Sequence, residues 1–95
     1  MIVRISGLGQ YELDDQAVRR LDELDTALTA ALNENREERF HQLLQEAITF
    51  VQQGGKEVAA DTVVPSEVII PPEDITLHEA HRFFTDEGLM QPLPA

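Results

Sequence analysis

The sequence predicts an α+β fold in which an N-terminal β-hairpin and a short third strand pack with an antiparallel αα-hairpin and a short C-terminal helix. Three observations carry that expectation. Residues 1 to 13 alternate apolar and polar around a glycine-rich break. Residues 14 to 53 hold two apolar stripes at heptad spacing, interrupted by Asn33-Glu34-Asn35. A β-branched run, Val68-Ile69-Ile70, is followed by Pro71-Pro72 and then by a helix-start signal. Ninety-five residues leave room for one small core, so these pieces belong to a single domain, 1–95.

In the first segment, 1–13, Ile2-Val3-Arg4-Ile5 and Gln10-Tyr11-Glu12-Leu13 each alternate, so Val3 and Ile5 share a face with Tyr11 and Leu13 while Arg4 opposes Gln10 or Glu12. Between them Ser6-Gly7-Leu8-Gly9 supplies the two glycines that a tight turn with positive φ requires. A dinucleotide fingerprint is excluded, because a third glycine is due at position 12 and Glu12 stands there within a strand.

In the helical segment, 14–53, Asp14 is placed as an N-cap, with Leu13 and Val18 as the hydrophobic staple. The stripe Ala17, Leu21, Leu24, Leu28 and Ala31 then needs a partner, and Phe40, Leu44, Ala47 and Val51, widened by Leu43 and Ile48, repeat its spacing. Asn35 with Glu38 reads as the start signal of this second helix, and Gly54-Gly55 as its stop. Two such helices on a short loop pack antiparallel.

Segment 54–75 reads as a connection carrying one short strand. Its pattern fades from Lys56 to Asp61, Val63-Val64-Pro65 and Val68-Ile69-Ile70 are β-branched runs, and Val68 to Ile70 reads as a short third strand or extended segment, ended by the two prolines. An isolated hairpin is marginal in water, so this strand or the helices must support it. Thr76 and Glu79 make a capping box for a last helix, 76–88, with Leu77, Ala80 and Phe84 on its apolar face. Gly88 is placed as a left-handed C-cap that returns Leu89 to Phe84, and 89–95 is a loose tail.

Eighteen acidic against seven basic residues give a net charge of −11. Residues 1–13 are neutral, 14–33 carry −3, 34–53 carry −2 and 54–95 carry −6. Such a surface repels phosphate backbones and anionic lipid, which argues against nucleic acid and against direct docking to a membrane. With no cysteine there is no disulfide, no thiolate zinc site and no cysteine nucleophile, and no apolar run has signal-peptide length. The expectation is a soluble cytoplasmic protein.

Spacing assembles no catalytic constellation. Glu38-Arg39-Phe40-His41 has the Glu-x-x-His spacing of di-iron bundles, yet no second copy occurs. His78 and His81 lie three apart but lack further ligands. Ser6 and Ser66, the only serines, lie outside any Gly-x-Ser-x-Gly elbow. The acid pairs Asp14-Asp15, Glu37-Glu38 and Glu73-Asp74 fall at or before helix starts, where the dipole favours anions, and Asp86-Glu87 falls at a turn. No catalytic, metal or cofactor residue is assigned, and a non-enzymatic protein is expected.

At Met1-Ile2-Val3-Arg4-Ile5 and Gly7-Leu8-Gly9-Gln10-Tyr11 the sequence resembles the PspA-associated (PspAA) proteins of prokaryotes. The resemblance continues through Asp14-Asp15, Pro65-Ser66-Glu67-Val68-Ile69-Ile70-Pro71-Pro72, Asp74, Thr76-Leu77 with Glu79, and Asp86-Glu87-Gly88-Leu89. It covers nearly the whole chain. Departures are Leu8, where an acid is expected between the glycines, Ser6 where Met is usual, and His78 and His81.

The resemblance implies a non-enzymatic partner of PspA, the coiled-coil protein of the phage-shock envelope-stress response, reaching the inner face of the membrane only through PspA. On that basis Leu8, Asp22, Glu23 and Asp25 are expected to contribute protein contacts. Two alternatives belong to other classes: a structural subunit whose heptad faces pair between chains, giving a homo-oligomer, and a metal-dependent enzyme.

Overall fold

Strands β1 (Ile2–Ile5) and β2 (Gly9–Glu12) form the expected antiparallel hairpin, with Val3 opposite Tyr11 and Arg4 opposite Gln10. A computed structural model describes residues 1–59 and 68–83. Alternation sorts the hairpin: Val3, Ile5, Tyr11 and Leu13 are buried, while Arg4 and Glu12 are exposed on the other face. At the tip the Leu8 N–H donates to Ile5 O at 2.9 Å, Gly7 sits at φ 83° and Gly9 at φ 117°, so both glycines are needed for their backbone. Met1 and Leu13 exchange two further bonds and lengthen the ladder by one pair.

Helix α1 (Asp15–Asn33) starts as predicted, with the Ala17 N–H donating to Asp14 Oδ1 at 2.8 Å. Every residue of its apolar stripe is buried, and so is every one of the second stripe on helix α2 (Glu37–Gly54). The two helices pack on each other as a helical hairpin, and their joint apolar face meets the inward side chains of the sheet in one core.

The loop between the helices departs from expectation. Asn35 does not cap α2; the N-cap is Arg36, which makes no side-chain cap hydrogen bond. Asn35 instead takes φ 57°, its N–H donates to Leu32 O at 3.0 Å, and the Arg36 N–H donates to Ala31 O at 2.9 Å. Those two bonds with a left-handed residue between helix and loop are a Schellman motif, so Asn35 closes α1 rather than opening α2. Asn serves there because its short side chain tolerates the left-handed region better than other non-glycine residues.

Gly55 follows α2 with an extended backbone and turns the chain back along β2. There a two-residue strand, β3 (Lys56–Glu57), pairs antiparallel with Tyr11 and Glu12, and the Val58 N–H donates to Gln10 O at 2.9 Å. This strand lies where the sequence suggested only a connection. Strand β4 (Val68–Ile70), the expected third strand, runs parallel to β1, with Ile70 beside Ile5 and the Ser6 N–H donating to Ile70 O. Among the described residues the sheet thus has four strands, in the order β3-β2-β1-β4. Val68 and Ile70 face the core, and Ile69 is 49% exposed on the outer face.

Helix α3 (Leu77–Phe83) opens on the predicted capping box: the Glu79 N–H donates to Thr76 Oγ1 at 3.1 Å, and the Thr76 N–H reaches back to Glu79 Oε1 at 3.4 Å. Ala80 is buried and Leu77 half-buried, and the helix contacts α1. The expected extent of this helix to 88, its Phe84 contact, the Gly88 cap, the tail and the Val63-Val64-Pro65 run all lie outside the described residues.

Candidate functional site

The four residues expected to make protein contacts divide in two groups. Leu8, at the hairpin tip, is 53% exposed, the most exposed large apolar side chain among the described residues. Asp22 and Glu23 are exposed on α1, and Glu23 accepts from Arg20 Nη1 at 3.0 Å. Arg20 also reaches Glu46 on α2 at 3.5 Å, so this part of the helical surface is a lightly bridged, solvent-facing charge network.

Asp25 departs from expectation. It is only 3% exposed and therefore is not a surface contact residue. Its place follows from spacing: Asp25 lies four residues after Leu21 and three before Leu28, on the same helix face. The spacing that buries Asp25 is visible in the sequence, whereas its charge points to the surface. Among the described residues no buried side-chain nitrogen or oxygen lacks a hydrogen-bond partner, so the Asp25 carboxylate is accommodated.

The histidines are equally specific about their roles. His41 is half-buried and its Nε2 lies 2.6 Å from Ile75 O. A carbonyl oxygen can only accept, so Nε2 carries the proton and ties α2 to the loop before α3. Its ring meets Phe40 edge-on, with centroids 5.6 Å apart. Glu38 is exposed beside it, and His78 and His81 are exposed on α3. Among the described residues no three His, Asp or Glu side chains gather in a way that would hold a metal ion.

A concavity on the hairpin side lies where its tip approaches α2 and the segment after β4. It is an open groove of about 550 Å³, floored by Ile5, Ile48 and Pro72, flanked by Leu8, and edged by Glu73 and Asp74. A neighbouring cleft of about 520 Å³ shares Glu73 and Asp74 and continues past Glu38, His41, Gln42 and Gln45. Both carboxylates are exposed, and the ion pairs found among the described residues are those of Arg20, which do not involve them.

In the sequence Glu73 and Asp74 are expected to serve the dipole of the last helix. What brings them to Leu8 is the parallel alignment of β4 with β1, which carries Pro71-Pro72-Glu73-Asp74 past Ser6 and Gly7. No local signal reports that pairing.

Among the described residues no helix is long and apolar enough to cross a membrane. No curated protein and no solved structure matches the chain. A protein-family model described as PspA-Associated protein matches residues 1–92. That span takes in the hairpin, both long helices, β4 and α3, and the chain therefore belongs to the PspA-associated protein family.

Proposed function

We propose that this protein is a non-enzymatic adaptor that binds a PspA-like coiled-coil protein in the envelope, or phage-shock, stress response, and meets the inner face of the membrane only through that partner. The observation that carries the reading is the family match across 92 of 95 residues, since the family is described by its association with PspA. The fold supports it. Both heptad stripes are consumed within one molecule, which leaves an acidic exterior of net charge −11 and a rigid helical pair to present it. The same burial speaks against the rival in which these stripes join separate chains, because the apolar seams of α1 and α2 are already covered.

On this reading Asp22, Glu23 and Leu8 contribute contacts, and attraction between the acidic surface and a basic region of PspA speeds and orients the encounter. The test is a titration of the purified chain with PspA from the same genome at low and high ionic strength. Binding should be present at low salt and should weaken as salt rises through the range where the screening length falls from about 10 to about 3 Å. Absence of binding at low salt refutes the association, and salt-independent binding refutes the acidic contact.

A further inference from the structure

We infer that the groove under the hairpin tip is the anchoring point for this partner, receiving an aliphatic side chain of a PspA helix whose neighbouring Lys or Arg residues meet Glu73 and Asp74. This rests on the association proposed above and adds where the contact is made and what chemistry it reads.

The argument starts from what the groove offers. Its floor is aliphatic, from Ile5, Ile48 and Pro72, and Leu8 stands half in solvent beside it. An exposed leucine on a tip held by two positive-φ glycines is apolar surface that folding has not covered, although the rest of the hairpin alternates cleanly. At about 550 Å³ the space suits inserted side chains rather than a packed domain face, which is how an amphipathic helix docks in a groove.

Polar recognition is one-sided. The Ser6 and Leu8 N–H groups at the rim are spent on Ile70 O and Ile5 O, so the tip does not offer them to an anion. The charged side chains lining the groove are both carboxylates, Glu73 and Asp74, exposed and without an ion-pair partner among the described residues. Charge complementarity therefore selects a cationic, amphipathic occupant and rejects phosphate groups and anionic lipid surfaces. A basic coiled-coil helix meets both requirements, apolar side chain and flanking positive charge, at once.

The experiment compares PspA binding, by isothermal titration calorimetry, for the wild type, Leu8→Asp, the double variant Glu73→Lys/Asp74→Lys, and Asp22→Lys/Glu23→Lys. All the substituted side chains are exposed, so circular dichroism is expected to show unchanged folds. The two groove variants should each weaken binding about tenfold or more, while the α1 variant should change it less. In parallel, adding PspA to isotope-labelled wild type should shift the amide signals of Gly7, Leu8, Gly9 and Asp74.

Binding that persists unchanged in both groove variants, or shifts confined to α1, overturns the groove while leaving the association with PspA standing. A wild-type chain that does not bind PspA overturns the association itself and the groove with it. Binding to vesicles of anionic lipid in the absence of PspA, lost in the groove variants, overturns the charge argument and makes the groove a membrane contact.

Discussion

Gly55 lies where α2 hands the chain to β3, and its backbone, at φ −98° and ψ 161°, is one that any residue adopts. Conformation therefore does not require glycine there, and space does. A Cβ on residue 55 would fall 2.6 Å from Val51 O, 2.9 Å from Leu13 Cδ2 and 3.0 Å from Tyr11 Cβ. Comfortable heavy-atom contact begins at about 3.5 Å, so the surroundings must retreat by roughly 1 Å. The nearest atom cannot do so cheaply, because Val51 O also accepts the Gly55 N–H at 2.8 Å and belongs to the last turn of α2.

Gly55→Ala is therefore expected to destabilise the protein by about 1–3 kcal/mol, the range for overpacking a filled site. At about 4–8 °C per kcal/mol for a domain of this size, the midpoint of thermal unfolding should fall by roughly 10 °C. The neighbouring glycine is the control. A Cβ on Gly54 meets only Phe50 at 3.6 Å, within a helical residue, so Gly54→Ala should stabilise by about 0.5–1 kcal/mol. Urea unfolding followed by far-ultraviolet circular dichroism reads both, provided the slope is unchanged between variants. If Gly55→Ala is as stable as the wild type or more stable, the close approach of residue 55 to Tyr11 and Leu13 is wrong.

Asn35 separates two roles by two substitutions. A serine in its place would keep an N-capping side chain and lose tolerance of φ 57°, so Asn35→Ser should cost about 1 kcal/mol, whereas Asn35→Gly should hold or raise stability; the opposite order in urea unfolding would restore Asn35 as the cap of α2. For Asp25, Asp25→Ala should lower stability by about 1–3 kcal/mol, since it removes a buried polar group and strands whatever it satisfies. Unchanged stability together with lost PspA binding would return Asp25 to the contact surface.

What was legible in the sequence is what local period and cap chemistry encode. The alternation around Gly7 and Gly9, the stripes from Ala17 to Ala31 and from Phe40 to Val51, the Asp14 cap and the Thr76–Glu79 box all depend on neighbours within four residues, and each is found as expected. The strand at Lys56 and Glu57 was not legible, because it is two charged residues held by backbone bonds to β2 and carries no apolar pattern. Asn35 presents a different difficulty: the same residue type suits an N-cap and a left-handed C-terminal position, and only the bonds at Ala31 and Leu32 distinguish them. Of the residues lining the groove, the sequence singles out Leu8. The groove itself was not legible, because Glu73 reaches Ile5 through a strand pairing that spans more than sixty residues of chain, and Ile48 reaches it through packing of α2 on the sheet.

That long-range pairing also orders events on the ribosome. Strand β1 lies inside the sheet, between β2 and β4, and its second neighbour emerges only when Val68 to Ile70 have been made. Until then the nascent hairpin carries one row of unsatisfied amides and carbonyls along Ile2 to Ile5, a template on which another chain can add a strand. Closure of a loop this long is slow compared with formation of the two helices, so the helical pair is expected to gather before the sheet is sealed. A polypeptide cut short before Val68 keeps that template open and should self-associate, which makes the proline-flanked strand near the end of the chain a guard for the one at its beginning.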